Sequence, residues 1–555
     1  MFKLFFCTYT LISLNTFAQW NSNNSINTGV AIAPKAQKSV HTISDSNNGV
    51  IMVWDDNRND ATTKEDIYVQ RFNASGIRKW TLYGLNICNS ANAQKNSTAV
   101  EAGNGSAIIT WEDRRAGNHD IYAQKIDSSG NVLWTTNGVA VCNKTTKQQS
   151  PKIVSDNAGG AIIVWEDSLN FYWDIYAQRI NSSGVLVWPA GGVAICSSPN
   201  TQINPRIEAD GLGGAIITWQ DKRNNVDYDI YAQKIDASGT TLWPANGVVI
   251  CNAINVQNNP RIDPDGSNGA IIAWTDKRNA LDNNIYAQRI NSTGVVQWAS
   301  NGVSVCSAAN NQSAIDMKYL GNTGIVIAWK DDRVNKSEIY TQLISLAGVA
   351  QLAVNGIIIS NASKSLSPNV TSDGNGGAII AWQDSTEFGG WDITSQKLNS
   401  AGVIQWAFGG VVVTNANDNQ EYASQISDGN GGAIYAWEDR RNGSHYDIYV
   451  HHLYSTGTPN FVGIKELNKS QQVPSSCFPN PINSNSIIQL NNNFSIEPWE
   501  ISIFDATGKV IKTDNIKNNQ PYFINPTEYS AGIYFYIINI KNKALYSKGS
   551  FISAN

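Results

Sequence analysis

The sequence predicts an all-β chain, and three observations carry that prediction. A Trp-x-Asp pattern returns eight times behind a glycine-rich turn and an apolar run, with tryptophans at Trp54, Trp111, Trp165, Trp219, Trp274, Trp329, Trp382 and Trp437. Successive copies lie 53 to 57 residues apart, longer than a solenoid coil and suited to a four-stranded blade. Helical periodicity is absent; apolar residues either run on, as in Ala215-Ile216-Ile217-Thr218-Trp219, or alternate. Together these predict an eight-bladed β-propeller followed by a small β-sandwich.

At the N-terminus, Lys3, the apolar stretch over residues 4–14 and the small-residue site Thr16-Phe17-Ala18 read as a signal peptide, residues 1–18, cut before Gln19. Beyond it no apolar run reaches the roughly 18 residues that a membrane-spanning helix needs. The propeller is expected over residues 19–462. Each unit holds four β segments: the second is almost continuously apolar, as a strand covered on both faces would be, and the third alternates like a half-exposed one. Turns such as Asp210-Gly211-Leu212-Gly213-Gly214 supply positive φ angles. The eighth unit stops after Asp447-Ile448-Tyr449 and lacks a fourth strand. Trp20 and Gly29-Val30-Ala31-Ile32 match the missing piece, so the N-terminal strand is expected to close the ring and remove its exposed edges. An open array is the alternative.

Cys88, Cys142, Cys196, Cys251 and Cys306 share one repeat slot, too far apart for disulfides between successive blades, and read as small core residues. Asp56, Asp113, Asp167, Asp221, Asp276, Asp331, Asp384 and Asp439 follow their tryptophans by two residues. A group required once per blade is expected to satisfy backbone donors within that blade, so these are assigned a structural role. Gln37, Gln94, Gln148, Gln202, Gln257, Gln312 and Gln420 sit 17 residues before each tryptophan, with Ser365 in the seventh unit. They either ring the channel mouth, where Gln148, Gln202 and Gln257 are candidate ligand contacts, or latch onto backbone.

A single binding site must break the repeat. Six units carry arginine four residues after the tryptophan; the third and seventh carry Leu169 and Thr386, with Phe171, Tyr172 and Trp173 near the first and Phe388 and Trp391 near the second. Aromatic faces beside amides suit a sugar or a protein partner. No metal site or cofactor is expected: Asp-Gly-Asn-Gly-Gly offers calcium one carboxylate, the five histidines form no zinc signature, and no nucleophile motif or phosphate loop is present. A net charge of −5 without a basic stripe argues against nucleic acid.

After a linker over residues 463–475, residues 476–555 form a second domain. Phe478-Pro479-Asn480-Pro481, Ile503-Phe504-Asp505-Ala506-Thr507-Gly508-Lys509, Ala531-Gly532-Ile533-Tyr534-Phe535-Tyr536 and Lys548-Gly549-Ser550-Phe551 resemble the type A C-terminal sorting domain of the type IX secretion system. On their own residues these segments read as a tight hairpin and a buried strand of an immunoglobulin-like sandwich. The resemblance implies type IX machinery as a partner, an outer-membrane surface or secreted location, and a bacterium of the Bacteroidetes type. The expected function is glycan or protein binding by a secreted or surface propeller. The alternatives are a polysaccharide-degrading enzyme, with Glu421 or Asp227 as unit-specific acids, and a surface scaffold; the lack of a unique catalytic set weighs against an enzyme.

Overall fold

The structure, a computed structural model, describes residues 20–459 apart from 22, 62, 170, 335 and 386–389, and residues 475–554 apart from 491–498, 506–509, 517–520 and 541–544. The signal peptide, Thr386, Phe388 and nearly all of the linker lie outside the described residues. The chain divides into two compact units, Met1–Pro459 and Asn460–Asn555. The fold is all-β: helix among the described residues is limited to 3-10 turns such as Gly321–Thr323 and Pro526–Glu528.

In the first unit the described residues form eight four-stranded antiparallel sheets. The third runs Gln148–Ser155, Ala161–Leu169, Tyr172–Ile180, Val193–Cys196, and seven sheets take their strands in this simple order. In the last, Gln420–Ser427, Ala433–Asp439 and Asp447–Leu453 are joined by Thr28–Ala31, with Gly29 opposite Tyr449. The first strands pack side by side from sheet to sheet, and Gln420–Ser427 packs on Gln37–Ser44. Each first strand carries a register shift after its second residue, at a left-handed position such as Ser150 (φ 57°) or Asn204 (φ 57°). The extra residue twists the strand and re-aims the side chains that follow it.

Apolar side chains of adjacent sheets interleave: Ile162, Val164, Trp188 and Cys196 of the third sheet pack with Ala215, Ile217 and Trp219 of the fourth. A second tryptophan reaches across seven of the eight seams, Trp134 donating to the Ser182 carbonyl at 3.2 Å and Trp20 making the same bond to Ala74 at 2.9 Å, while the sixth unit has Leu352 in this slot. Gly184 lies under Trp134 with φ +80°, and a Cβ there would come within 2.7 Å of the indole. The third strand departs from the alternating, half-exposed expectation: Asp229–Ile235 is buried at every position. Its second face is covered because Tyr231 stacks on Trp219 and Gln233 donates to the Pro244 carbonyl.

The second unit has a three-stranded sheet, Ser475–Phe478, Ile487–Leu490 and Tyr522–Phe523, and a four-stranded one in the spatial order Val510–Ile516, Trp499–Phe504, Gly532–Ile540, Leu545–Ser553. Ile488, Trp499, Ile501, Tyr536, Ile538 and Phe551 form its core.

Candidate functional site

The repeated Trp-x-Asp motif builds a bracket rather than a reactive centre. In the fourth unit Asp221 accepts the Trp219 indole N–H at 2.7 Å, the Arg223 backbone N–H at 2.9 Å and two guanidinium N–H groups at 2.9 and 2.6 Å. The carboxylate is therefore satisfied largely by side chains, not by the backbone donors that the sequence reading expected, because Trp219 and Arg223 both reach it. Arg223 also lies 3.7 Å above the Tyr231 ring and donates to Cys196 Sγ and the Asn246 carbonyl, tying the third sheet to the fourth. Arg115, Arg278 and Arg333 repeat this with Cys88, Cys251 and Cys306. Burial pushes the thiols of Cys88, Cys196 and Cys251 up to about 12, so they stay protonated.

In seven units a second acid faces the first across the register, as Asp113 faces Asp120, and in the fifth Asn284 faces Asp276. Burial first, then the neighbouring Asp113, raises Asp120 to about 6; burial likewise raises Asp174, Asp229, Asp392 and Asp447 to about 6.

The third and seventh units break the bracket. With Leu169 in the arginine slot, Lys144 from the preceding connection brings its ammonium to Asp167 at 3.1 Å and over Tyr176 at 4.0 Å, and Thr146 donates at 2.8 Å. Asp384 takes Ser365 and Trp382, at 2.5 and 2.6 Å. Both units extend their hairpin: pairing runs out to Leu169 and Tyr172 in the third and to Ser385 and Trp391 in the seventh. Phe171 is 105% exposed and Tyr172 48%. Trp173 and Trp391 are half-buried, each under a lysine: Lys147 at 5.4 Å and Lys364 at 5.5 Å.

Trp173 and Trp391 occupy the residue just before the third strand's recurring acid, and in the same slot stand Tyr228 and Tyr446, under Lys222 at 5.8 Å and Lys38 at 5.2 Å. The sequence reading missed these two tyrosines; aligning that one slot would have found them. The slot's backbone carbonyl, in Tyr228 and Tyr446, accepts the N–H that opens the next sheet's first strand, which puts the rings beside the entrance to those strands. Gln148, Gln202 and Gln257 lie deeper, fully buried, with their amides donating to carbonyls of their own connections, such as Thr146 and Asn255.

Glu421 accepts the Tyr446 hydroxyl and stands opposite Glu438 across the register. An open cleft of about 500 Å³ there is lined by Lys38, Ser39, Tyr422, Glu438 and Tyr446. Burial, with Glu421 nearby, raises Glu438 to about 7, although it also accepts the Ser39 N–H at 2.7 Å. Asp227 accepts the Asn224 amide at 2.7 Å. Among the described residues, no three His, Cys, Asp or Glu side chains gather as a metal site.

Residues 476–551 match the family described as the secretion system C-terminal sorting domain. No curated protein matches the chain. Among solved structures it is similar to an ulvan lyase of a polysaccharide lyase family (10% identity, 79% of this chain and 98% of that one covered, TM-score 0.39). It is also similar to an α-L-arabinofuranosidase of Fusarium graminearum (11%, 56% and 94%, 0.33) and to a protein of unknown function from Dyadobacter fermentans (9%, 55% and 93%, 0.31). The C-terminal unit is a type IX sorting domain, and the chain is secreted or held at the cell surface. No helix among the described residues is long and apolar enough to cross a membrane.

Proposed function

We propose that the eight sheets are the blades of a propeller closed by its N-terminal strand, delivered outside a bacterium of the Bacteroidetes type after removal of a signal peptide, and that it binds a glycan on the face bearing the rim aromatics. The observation that carries this reading is the slot shared by Trp173, Tyr228, Trp391 and Tyr446, each ring under a lysine, with Phe171 and Tyr172 projecting beside the first. Aromatic faces stack on the apolar side of a pyranose, and lysines and loop amides bond its hydroxyls. In a ring of eight, the extended hairpins of units three and seven stand opposite each other and would grip a chain passing over the mouth.

The test is a glycan and polysaccharide array with the full chain and a variant carrying Trp173→Ala and Trp391→Ala. Saturable sugar binding that the double variant loses is expected. Binding only to a protein, or sugar binding that survives both substitutions, would move the ligand site elsewhere. A second reading, polysaccharide cleavage, rests on Glu438, which lines the open cleft and stands opposite Glu421 in the register, since a carboxyl raised to about 7 can serve as a general acid. Product release from a polysaccharide by the full chain, abolished by Glu438→Gln, would establish it.

A further inference from the structure

The fourth residue after each repeat glutamine forms a ring position on the first strands: His41, Thr98, Lys152, Arg206, Arg261, Asp316, Asn369 and Ser424. In the sixth to eighth units this residue stitches one first strand to the next. Asp316 accepts the Val370 N–H at 2.8 Å, Asn369 the Gln425 N–H at 3.2 Å, and Ser424 the Thr42 N–H at 3.0 Å. In the third to fifth units the same position is a cation, which cannot accept such a bond.

These three cations share one local geometry. Each follows the strand's register shift, and each spends one donor on the carbonyl of the proline before it: Lys152 on Pro151 at 3.1 Å, Arg206 on Pro205 at 3.1 Å, Arg261 on Pro260 at 3.2 Å. Among the described residues Lys152 and Arg206 form no ion pair, and Arg261 has only Asp316, at 3.8 Å. That aspartate is already held through its other oxygen by Asn369 and Val370. The nearby Glu166 and Glu112 are also committed, each accepting a backbone N–H of the next sheet, from Asn204 and Ser150. One pleat further along, Lys318 pairs with Asp263 at 3.2 Å, and Glu208 feels that same lysine and Asp263.

The three residues stand at the same register position on adjacent first strands. Burial and then Arg206 lower Lys152 to about 8, burial and then Arg261 lower Arg206 to about 9, and Lys152 acts on His41 two units away. All three are half-buried, screened by protein yet open to solvent. Three adjacent cations with spare N–H groups, whose nearest carboxylates Glu112, Glu166 and Asp316 already accept backbone N–H groups, are the converse of an ion-pair network. Charge-assisted bonds to a single oxyanion would satisfy all three at once, and a guanidinium fork suits a carboxylate or a sulfate in two-point contact.

We propose that Lys152, Arg206 and Arg261 form an anion-binding site between the first strands, made for a carboxylate or sulfate group. The site needs only the adjacency of three strands, so it stands whether or not the rim aromatics bind sugar. The group is either a free inorganic anion or the acidic substituent of a sugar.

Calorimetric titration of the full chain with sulfate, with glucuronate and with uncharged glucose tests it. One-to-one binding of an anion, with glucose inert at this site, is expected. Binding of both anions assigns the free ion, and binding of glucuronate alone assigns the sugar-borne acid. Arg206→Gln should weaken it by about tenfold or more. Asp316→Asn, which removes the competing carboxylate, should tighten it severalfold, an opposite change that a damaged fold would not produce. The variant with Trp173→Ala and Trp391→Ala should keep anion binding, which separates a failure here from a failure of the glycan reading. No binding of either anion, or affinity indifferent to both Arg206→Gln and Asp316→Asn, overturns the proposal.

Discussion

The third and fourth units perform the same structural task with different residues. In the fourth, Arg223 reaches back two residues to Asp221, stacks on Tyr231 and ties down Cys196 and Asn246. In the third, Lys144 arrives from the preceding connection to hold Asp167 and cover Tyr176, and the hairpin that would have carried the arginine extends to display Phe171 and Tyr172. The cation over the tyrosine and the buried carboxylate are retained; only their source has moved. A repeat can thus release one of its connections for recognition without losing the bracket beneath it.

Breaking the bracket in each unit gives the largest contrast. Arg223→Met leaves Asp221 buried, fully screened and without its cation, and should cost about 3–5 kcal/mol, as loss of one partner of a buried pair does. Lys144→Met should cost about 1 kcal/mol or less, because the lysine side chain is 36% exposed and Thr146 still bonds Asp167. Calorimetric melting of the two variants compares them directly. Equal losses would mean that the lysine is as well seated as the arginine.

The two acids within a unit offer the next contrast. Asp331, clamped first by the Arg333 guanidinium, has its carboxyl held below the usual range. It therefore contributes stability above its unfolded pKa that is lost as pH falls through its folded one. Asp120, Asp174, Asp229, Asp392 and Asp447 are raised to about 6, so the unfolded chain binds fewer protons than the native one between about pH 4 and 6 and stability falls as pH rises across that window. The melting temperature should pass through a maximum below neutrality. Asp120→Asn should flatten the alkaline limb by on the order of 1–2 kcal/mol; a limb unchanged by the substitution would assign it to other groups.

These contrasts also mark how far the sequence could be read. The Trp-x-Asp period announced the β architecture because tryptophan and aspartate lie two residues apart and every copy repeats their contact, with arginine joining them in six of the eight. The bracket across the seam was hidden, since Cys196 and Asp221 are 25 residues apart and meet only once two sheets pack. Its trace was nonetheless present for the third unit, which lacks the arginine and follows a unit whose cysteine, Cys142, is trailed two residues later by Lys144. The cations Lys152, Arg206 and Arg261 were hidden for the same reason. Spread over more than a hundred residues, they amount to no basic stripe, and only the lateral packing of first strands gathers them.

The smallest expected effect on stability is also the sharpest test of the division of labour in the third unit. Phe171 is fully exposed and holds φ +73°, a left-handed backbone that a phenylalanine adopts only against resistance and that asparagine accepts readily. Nothing is buried by this ring, so a structural role gives no reason for an aromatic residue there. Phe171→Asn should leave the melting temperature unchanged or slightly raised, within about 0.5 kcal/mol, while weakening any ligand held on the extended hairpin. A lower melting temperature with unaltered binding would reverse the assignment, making the ring a cover for the hairpin and leaving recognition to Trp173 and the other rings of the rim.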